Sequence, residues 1–291
     1  VERVVILGSD VVGRLDHALA AQAIGWSRRE LKAAFHEGRV CAEGKRLTAA
    51  TPACPGMIVH LVELEPATLE PLPELRVVYE DQALVVVEKA PGIPAYPLHP
   101  HERGNVAAAV RARFPDLEGV GDLREAPGLC HRLDLETSGL LLFARTAVAF
   151  AALRQAFEAR AVGKLYQAVV QGRLEGAGEI AYPLARPLGR GARMVALTEA
   201  HQAVRKSWPA LSRYQVVAHH GERTCVEVTL VTGVTHQARV HLAALGHPIV
   251  GDVLYGGPLA SRLYLHAMRL TIPHPLTGAL LTVQSPNSLS C

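Results

Sequence analysis

The segment Glu63–Leu75, ELEPATLEPLPEL, carries three prolines and no basic residue. Proline lacks a backbone donor and fixes φ, so neither a helix interior nor a central strand runs through such a stretch. It reads as a linker over 64–75, separating a short region, 1–63, from a long one, 76–291. With 291 residues and 49% apolar composition, the chain has material for a core on each side.

In the short region, Leu15, Ala18, Leu19 and Ala23 recur at helical spacing. Ser27 opens a second predicted helix, with Glu30 three residues on completing a capping box and Gly38 as a natural stop. VCA, a turn at Glu43–Gly44 and the strand MIVHLVE follow. In the long region strands dominate, with helices between them. VVYEDQALVVVEKAPG reads as a hairpin turning at Glu80–Asp81, and GLLLFAR as a short buried strand. TAVAFAALRQAFEAR reads as a helix capped by Thr146, with Phe150, Leu153 and Phe157 on one face. LYQAVVQG and TCVEVTLV alternate as strands do, and HQARVHLAALG is a helix closed by Gly246. The pattern is α+β, with a mixed, largely antiparallel sheet and flanking helices, preceded by a small α+β unit.

No apolar run approaches the roughly 18–20 residues that span a bilayer. The first residues, VERVVILGSD, hold too short an apolar run for a secretory signal, so a cytoplasmic location and no membrane partner are expected. The five cysteines are scattered without a C-x-x-C pair, which predicts buried reduced thiols in place of a disulfide framework or zinc ribbon. Among the fourteen histidines, His236 and His241 fall about 140° apart on a predicted helix, and His219 and His220 point oppositely on a strand. No metal site is expected. His99 and His101 lie in a loop, where solvation is the plain reading.

The net charge of +3 names no partner, but its distribution is uneven. Arg28, Arg29, Lys32, Arg39, Lys45 and Arg46 cluster between Ser27 and Arg46, and a second basic stretch runs from Arg186 to Arg213 around the single acid Glu199. Such patches suit a polyanion, although an ordinary solvated surface has the same look. Asp134 stands in a polar loop just before a buried strand, with Arg132 two residues away. A loop aspartate is commonly a turn former; one at the mouth of a sheet beside an arginine is also where sites tend to lie.

Two resemblances give these features a common meaning. RLDHALA, SRRELKAAFHEGRVCAEGKRL and PGMIVHL resemble, in that order, the small RNA-binding domain named after ribosomal protein S four. That resemblance implies an RNA-facing second helix and turn, with Arg28, Arg29, Lys32 and Lys45 forward. HRLDLETSGLLLFAR at 131–145 resembles the catalytic motif of RluA-type pseudouridine synthases. Four further blocks resemble that family in its order: 77–92, KLYQAVVQG at 164–172, 232–256 and LYLHAMRLTIPHPLTG at 263–278. The resemblance implies an isomerase that detaches a uracil in RNA, rotates it and reattaches it through carbon, without a cofactor.

It also implies roles. Asp134 matches the nucleophilic aspartate, Tyr166 the tyrosine that stacks on the uracil and takes part in proton transfer, and Arg239 the arginine paired with the aspartate. Arg132 matches the arginine that helps extrude the base. Their plain alternatives are a core strand tyrosine, a surface helix charge and a phosphate contact. A carboxylate can attack either the sugar carbon or the activated ring, so one ionised aspartate is the minimum, and an extruded base favours a stacking aromatic. Three departures mark the chain: Val234 where the family has arginine in T-G-R-T-H-Q, KAPG for K-P-x-G, and Ser212 in the strand before Tyr214. The expected partner is RNA, ribosomal before transfer, acted on by a monomer. Two other classes remain: an inactive RNA-binding protein, and an aspartate-nucleophile hydrolase such as a glycosidase. The latter usually needs two carboxylates across a cleft. Glu136 lies beside Asp134, and Asp252 sits in a glycine-flanked turn.

Overall fold

The computed structural model describes residues 2–22, 26, 28–62, 71–97, 102–187, 193–198 and 204–290. The chain clusters into two compact units, Val1–Pro71 with Leu98–Arg103, and Leu72–Pro97 with Gly104–Cys291. The division falls inside the proline-rich stretch; the grouping of Leu98–Arg103 with the first unit has no signal in the sequence.

The first unit runs β1 (Glu2–Ile6), β2 (Gly13–Arg14), α1 (Leu15–Ala21), α2 (Arg28–His36), β3 (Val40–Ala42), β4 (Lys45–Arg46), β5 (Pro52–Ala53) and β6 (Ile58–Val62). Strands β1, β6, β3 and β4 form one sheet in that order, and β2 pairs with β5. Alternate residues Val5, Val59 and Leu61 turn inward onto Leu15, Leu19 and Leu31 of the helices. β1 was not anticipated, because its apolar residues face both ways. Ser27, and with it the capping box, lies outside the described residues, as do Ala23, His99 and His101. The turn between β3 and β4 places Glu43 and Gly44 at φ 48° and 73°, the conformation that a tight two-residue hairpin requires.

Arg39 leaves the expected basic patch. Its side chain is buried, with Nε donating to Glu37 at 2.6 Å and Nη1 to the Val62 carbonyl at 3.1 Å. It is committed to the fold, whereas Lys32 and Lys45 are exposed.

The second unit contains β7 (Arg76–Glu80), β8 (Leu84–Lys89), α3 (Val106–Arg113), β9 (Ser138–Ala144), α4 (Ala147–Glu158), β10 (Gly163–Gln171) and β11 (Ala177–Ile180). A small sheet of β12 (Leu184–Pro187), β13 (Val195–Ala196) and β14 (Val204–Trp208) follows, then β15 (Ser212–His220), β16 (Arg223–Leu230), α5 (Gln237–Ala244), β17 (Leu265–Pro273) and β18 (Leu280–Gln284). The main sheet has the order β11-β15-β16-β10-β17-β9-β8-β7, with β18 on β17. It is antiparallel except where β17 meets β9. The hairpin turns at Asp81–Leu84, slightly later than expected, because Asp81 Oδ1 accepts from the Ala83 and Leu84 amides at 2.7 and 3.0 Å.

Both faces of the central strands are covered, which is why they read as continuous apolar runs. Val85, Val87, Leu141 and Phe143 pack with α3 and α5 residues on one face. Leu84, Val86, Leu140 and Leu142 pack with Leu153 of α4 on the other. Thr146 caps α4 as predicted, its hydroxyl accepting from the Ala149 amide at 3.1 Å. Gly139, the second residue of β9, has φ 114°, and a side chain there would collide with the Ala267 backbone of β17. Only glycine allows these two strands to meet directly behind the Asp134 loop.

The cysteines depart from expectation. Cys54 is exposed, and Cys225 is disulfide-bonded. The tail through Leu289 folds back onto the core around Cys225, with the Leu289 amide donating to Gln167 at 2.7 Å. An odd count of scattered cysteines does not forbid one such bond.

Candidate active site

Residues 131–137 lead into β9 and are fastened from two sides. The Leu142 amide donates to His131 Nε2 at 3.2 Å, and the Cys130 amide to the Leu142 carbonyl at 3.0 Å. From the other side, Lys89 reaches in from the end of β8. It is fully buried, and its ammonium donates to the carbonyls of Ala90, Ile93 and Leu135 at 2.9, 2.7 and 2.7 Å. Burial pulls its pKa down to about 8, against the raising pull of Glu136 and Asp134. Three carbonyl acceptors saturate an ammonium group. Lys89 therefore ties the loop that carries Asp134 to the loop after β8, a role that the KAPG motif alone does not reveal.

Asp134 opens onto a cavity of about 600 Å³, also lined by Arg132, Tyr166, His236 and Arg239. The four long-region residues singled out in the sequence thus meet in one place. Arg239, on α5, is buried, not a surface charge. Its Nη1 donates to Asp134 Oδ2 at 3.3 Å, while Nε and Nη2 donate to Asp252 Oδ2 and Oδ1 at 2.7 and 2.8 Å. Burial alone would lower its pKa; the Asp252 pair, with Asp134 behind it, holds it above the ordinary value.

Asp252, which in the sequence is only part of a glycine-flanked turn, is the partner that holds Arg239. Its side chain is 1% exposed, and both oxygens are taken by the guanidinium. The glycine-flanked turn places it there: Gly251 and Gly256 both have φ 86°.

Tyr166 lies in β10 at a bulge, where the register with β17 shifts between Leu165 and Tyr166. Bulges re-aim side chains, and this one accompanies a tyrosine that is 7% exposed yet lines the cavity. Burial, with the Asp134 carboxylate adding to it, pushes its phenol above the usual range. Arg132, more exposed, donates to the Tyr96 and Thr235 hydroxyls at 3.0 and 3.3 Å.

His236 is a second omission. It precedes α5 in place of lying within it, with φ 58° and ψ 19°. Its Nε2 is 3.8 Å from Asp134 Oδ1, and its Nδ1 is 2.7 Å from the Tyr255 hydroxyl. His241 turns elsewhere, to Ser212 and the Tyr182 carbonyl, both at 2.9 Å. Gln237 locks the helix start: it accepts from the Thr232 hydroxyl and the Val234 amide, and donates to the Leu211 carbonyl and Ser212. Val234 lines the cavity and packs with the cluster around Trp208 and Tyr255. Among the described residues, no three His, Cys, Asp or Glu side chains gather as metal ligands.

Lys32 and Lys45 belong to the first unit; the side chains of Arg28 and Arg29, at the start of α2, lie outside the described residues. In the second basic stretch, Arg213 pairs with Glu179 at 2.9 Å and Arg193 donates to the Leu254 carbonyl at 2.6 Å. Arg190, Glu199 and the Arg205 side chain lie outside the described residues.

Residues 83–244 match the family model described as RNA pseudouridylate synthase. An uncharacterized RNA pseudouridine synthase of Chloroflexus aurantiacus is 38% identical, over 95% of this chain and 87% of its own length. The ribosomal large subunit pseudouridine synthase D of Pseudomonas aeruginosa is 32% identical, over 94% and 88%. Among solved structures, human RNA pseudouridylate synthase domain containing 1 has a TM-score of 0.60 at 30% identity, over 77% of this chain and 86% of that one. The chain belongs to the RNA pseudouridylate synthase family, in its RluA-type branch, and is an isomerase acting on RNA.

Proposed function

We propose that this enzyme converts uridines of large-subunit ribosomal RNA to pseudouridine, with Asp134 as its nucleophile. The observation that carries the reading is the chain of charge Asp134–Arg239–Asp252, in which a fully engaged buried carboxylate aims an arginine at a half-buried one on the cavity wall. An arginine so held fixes the direction of its partner carboxylate. The bond from uracil N1 to sugar C1′ breaks, the base turns, and a bond from C5 to C1′ forms. One proton leaves C5 and one arrives at N1, so atoms balance without a cofactor. Asp134 attacks the sugar carbon or the ring; both are within the chemistry of a carboxylate. Tyr166, its phenol kept protonated by burial, stacks on the turning base and takes part in the proton transfer. Arg132, more exposed at the cavity wall, fills the gap left by the extruded nucleotide.

The choice of ribosomal RNA over transfer RNA is supported by the name of the Pseudomonas relative, and it implies a cytoplasmic enzyme. Residues 1–63 act as an RNA-binding domain of the type found in ribosomal protein S four, through Arg28, Arg29, Lys32 and Lys45, with 64–75 as linker, 76–291 as catalytic domain and a monomer as the working form. A glycosidase-like hydrolase is disfavoured, because Asp252 is occupied by Arg239 and cannot serve as the second acid across the cleft.

The test is Asp134→Asn on ribosomal RNA, with pseudouridine mapped chemically. Mass-neutral conversion by the parent and loss of at least about a thousandfold in the variant, ~4 kcal/mol, are expected. Abasic sugars would indicate a hydrolase, and no conversion by either protein an inactive binder. Residual turnover within about tenfold of the parent would remove Asp134 as nucleophile.

A further inference from the structure

Asp134 Oδ1 and His236 Nε2 stand 3.8 Å apart across the cavity wall. That is too far for a direct hydrogen bond, but it suits a single oxygen bridging both at about 2.8 Å from each. What lies behind the imidazole decides which hydrogen it presents. The Tyr255 hydroxyl is 2.7 Å from Nδ1. Burial holds the Tyr255 phenol up at about 12, so it keeps a proton that it can donate to Nδ1. Burial likewise lowers the pKa of His236, opposed by Asp134, which keeps the ring neutral. A neutral ring accepting at Nδ1 carries its hydrogen on Nε2.

The gap therefore offers an acceptor on one side and a donor on the other. Uracil has no atom that answers both: its carbonyls only accept, and its N–H only donates. A hydroxyl does both. The ribose 2′-hydroxyl is attached to the carbon next to C1′, so a carboxylate working at the glycosidic bond has it within reach. The backbone points the same way. His236 is one of three non-glycine residues described with positive φ, and such strain persists where the surrounding structure holds it for a purpose.

We propose that His236, oriented by Tyr255, joins Asp134 in seating the 2′-hydroxyl of the target nucleotide, and so selects ribonucleotide over deoxyribonucleotide at the reacting position. The inference rests on Asp134 being the reacting carboxylate.

The experiment uses the full-length enzyme and a synthetic RNA around a mapped uridine, with either uridine or a single 2′-deoxyuridine at that position. Single-turnover rates at saturating RNA are compared for the parent, His236→Asn and Tyr255→Phe. Asparagine tolerates the left-handed backbone but is too short to bridge. The parent should lose about ten- to a hundredfold on the deoxy substrate, the span of a charge-assisted hydrogen bond. In His236→Asn the ratio of the two rates should shrink to about threefold or less, chiefly through a slower ribose reaction, with Tyr255→Phe in between. Comparing ratios cancels the different intrinsic lability of the two glycosidic bonds. A ratio unchanged in both variants, or a parent indifferent to the deoxy substitution, overturns the proposal and leaves the gap to water. Should His236→Asn fail to fold, the Tyr255→Phe ratio decides alone. A parent that makes no pseudouridine in the all-ribose RNA overturns the functional reading itself, a result distinct from the loss of discrimination.

Discussion

Asp252 grips Arg239 from behind with both carboxylate oxygens, at 2.7 and 2.8 Å, and leaves one Nη to face Asp134 at 3.3 Å. The shorter, buried pair sets the direction of the longer one. Arg239 thus acts as the link between a structural carboxylate and the proposed nucleophile.

Asp252→Asn keeps the shape but turns an N–H₂ group or a neutral oxygen toward the guanidinium. The single-turnover rate at saturating RNA should fall about ten- to a hundredfold, ~1.4–2.7 kcal/mol, with RNA affinity unchanged. A change in affinity alone would mean that Asp252 does not act through Asp134. Arg239→Leu is a poorer probe, because it strands a buried charge at about 3–5 kcal/mol and should lower the melting temperature as well.

Lys89→Met leaves the Ala90, Ile93 and Leu135 carbonyls without their shared donor. Each unsatisfied buried acceptor costs about 1–3 kcal/mol where water cannot replace the donor. Thermal unfolding should reveal a destabilised protein that still folds, with a rate loss exceeding what the unfolded fraction explains. Full activity in the folded fraction would show that the Asp134 loop holds its place without the lysine.

The hairpin turn supplies a pH signature. Burial alone would raise the pKa of Asp81, but His274, Tyr79 and two backbone amides hold its carboxyl down at about 2. The folded pKa lies below the ordinary carboxyl value of 3.8, so this stability is present above pH ~4 and is lost as pH falls toward ~2. Allowing for solvent screening, about 1 kcal/mol is involved. Asp81→Asn should lower stability at neutral pH by roughly that amount and flatten the acid limb of a denaturation series; an unchanged acid limb would assign it to other carboxylates.

The basic residues of the first unit should separate by burial. Replacing Lys32 and Lys45 together by glutamine removes up to two phosphate contacts, and the log–log salt slope of RNA binding should shrink by about 1.4–1.8. Arg39→Gln, which removes a buried charge tied to Glu37 and Val62, should leave the slope alone and reduce stability. Equal slopes for all three proteins would detach this unit from RNA binding.

The Thr146 cap, the Gly246 stop and the polar loop before a buried strand were legible, because each depends on residues within a turn or two of one another. Thr146 reaches the Ala149 amide, and α5 ends with the Gly246 and His247 amides donating to the Ala243 and Leu242 carbonyls, contacts that local chemistry dictates. Asp134 could be named from its loop and its motif for the same reason.

The working geometry belongs to the tertiary structure. Arg239 and Asp134 are 105 residues apart in the chain, and Lys89 meets Leu135 across 46. The parallel contact of β9 with β17, made possible by Gly139, puts the loop and α5 on one cavity. Asp252 looked like a turn residue because periodicity carries no record of what a side chain faces once distant strands pair. His236 looked helical because a left-handed residue before a helix leaves the same apolar spacing. By itself, the sequence determined elements such as α4 and β9, since those follow from local sterics and burial period. Which charges confront one another was decided only by long-range packing, because an ion pair depends on distance in space and not on position in the chain.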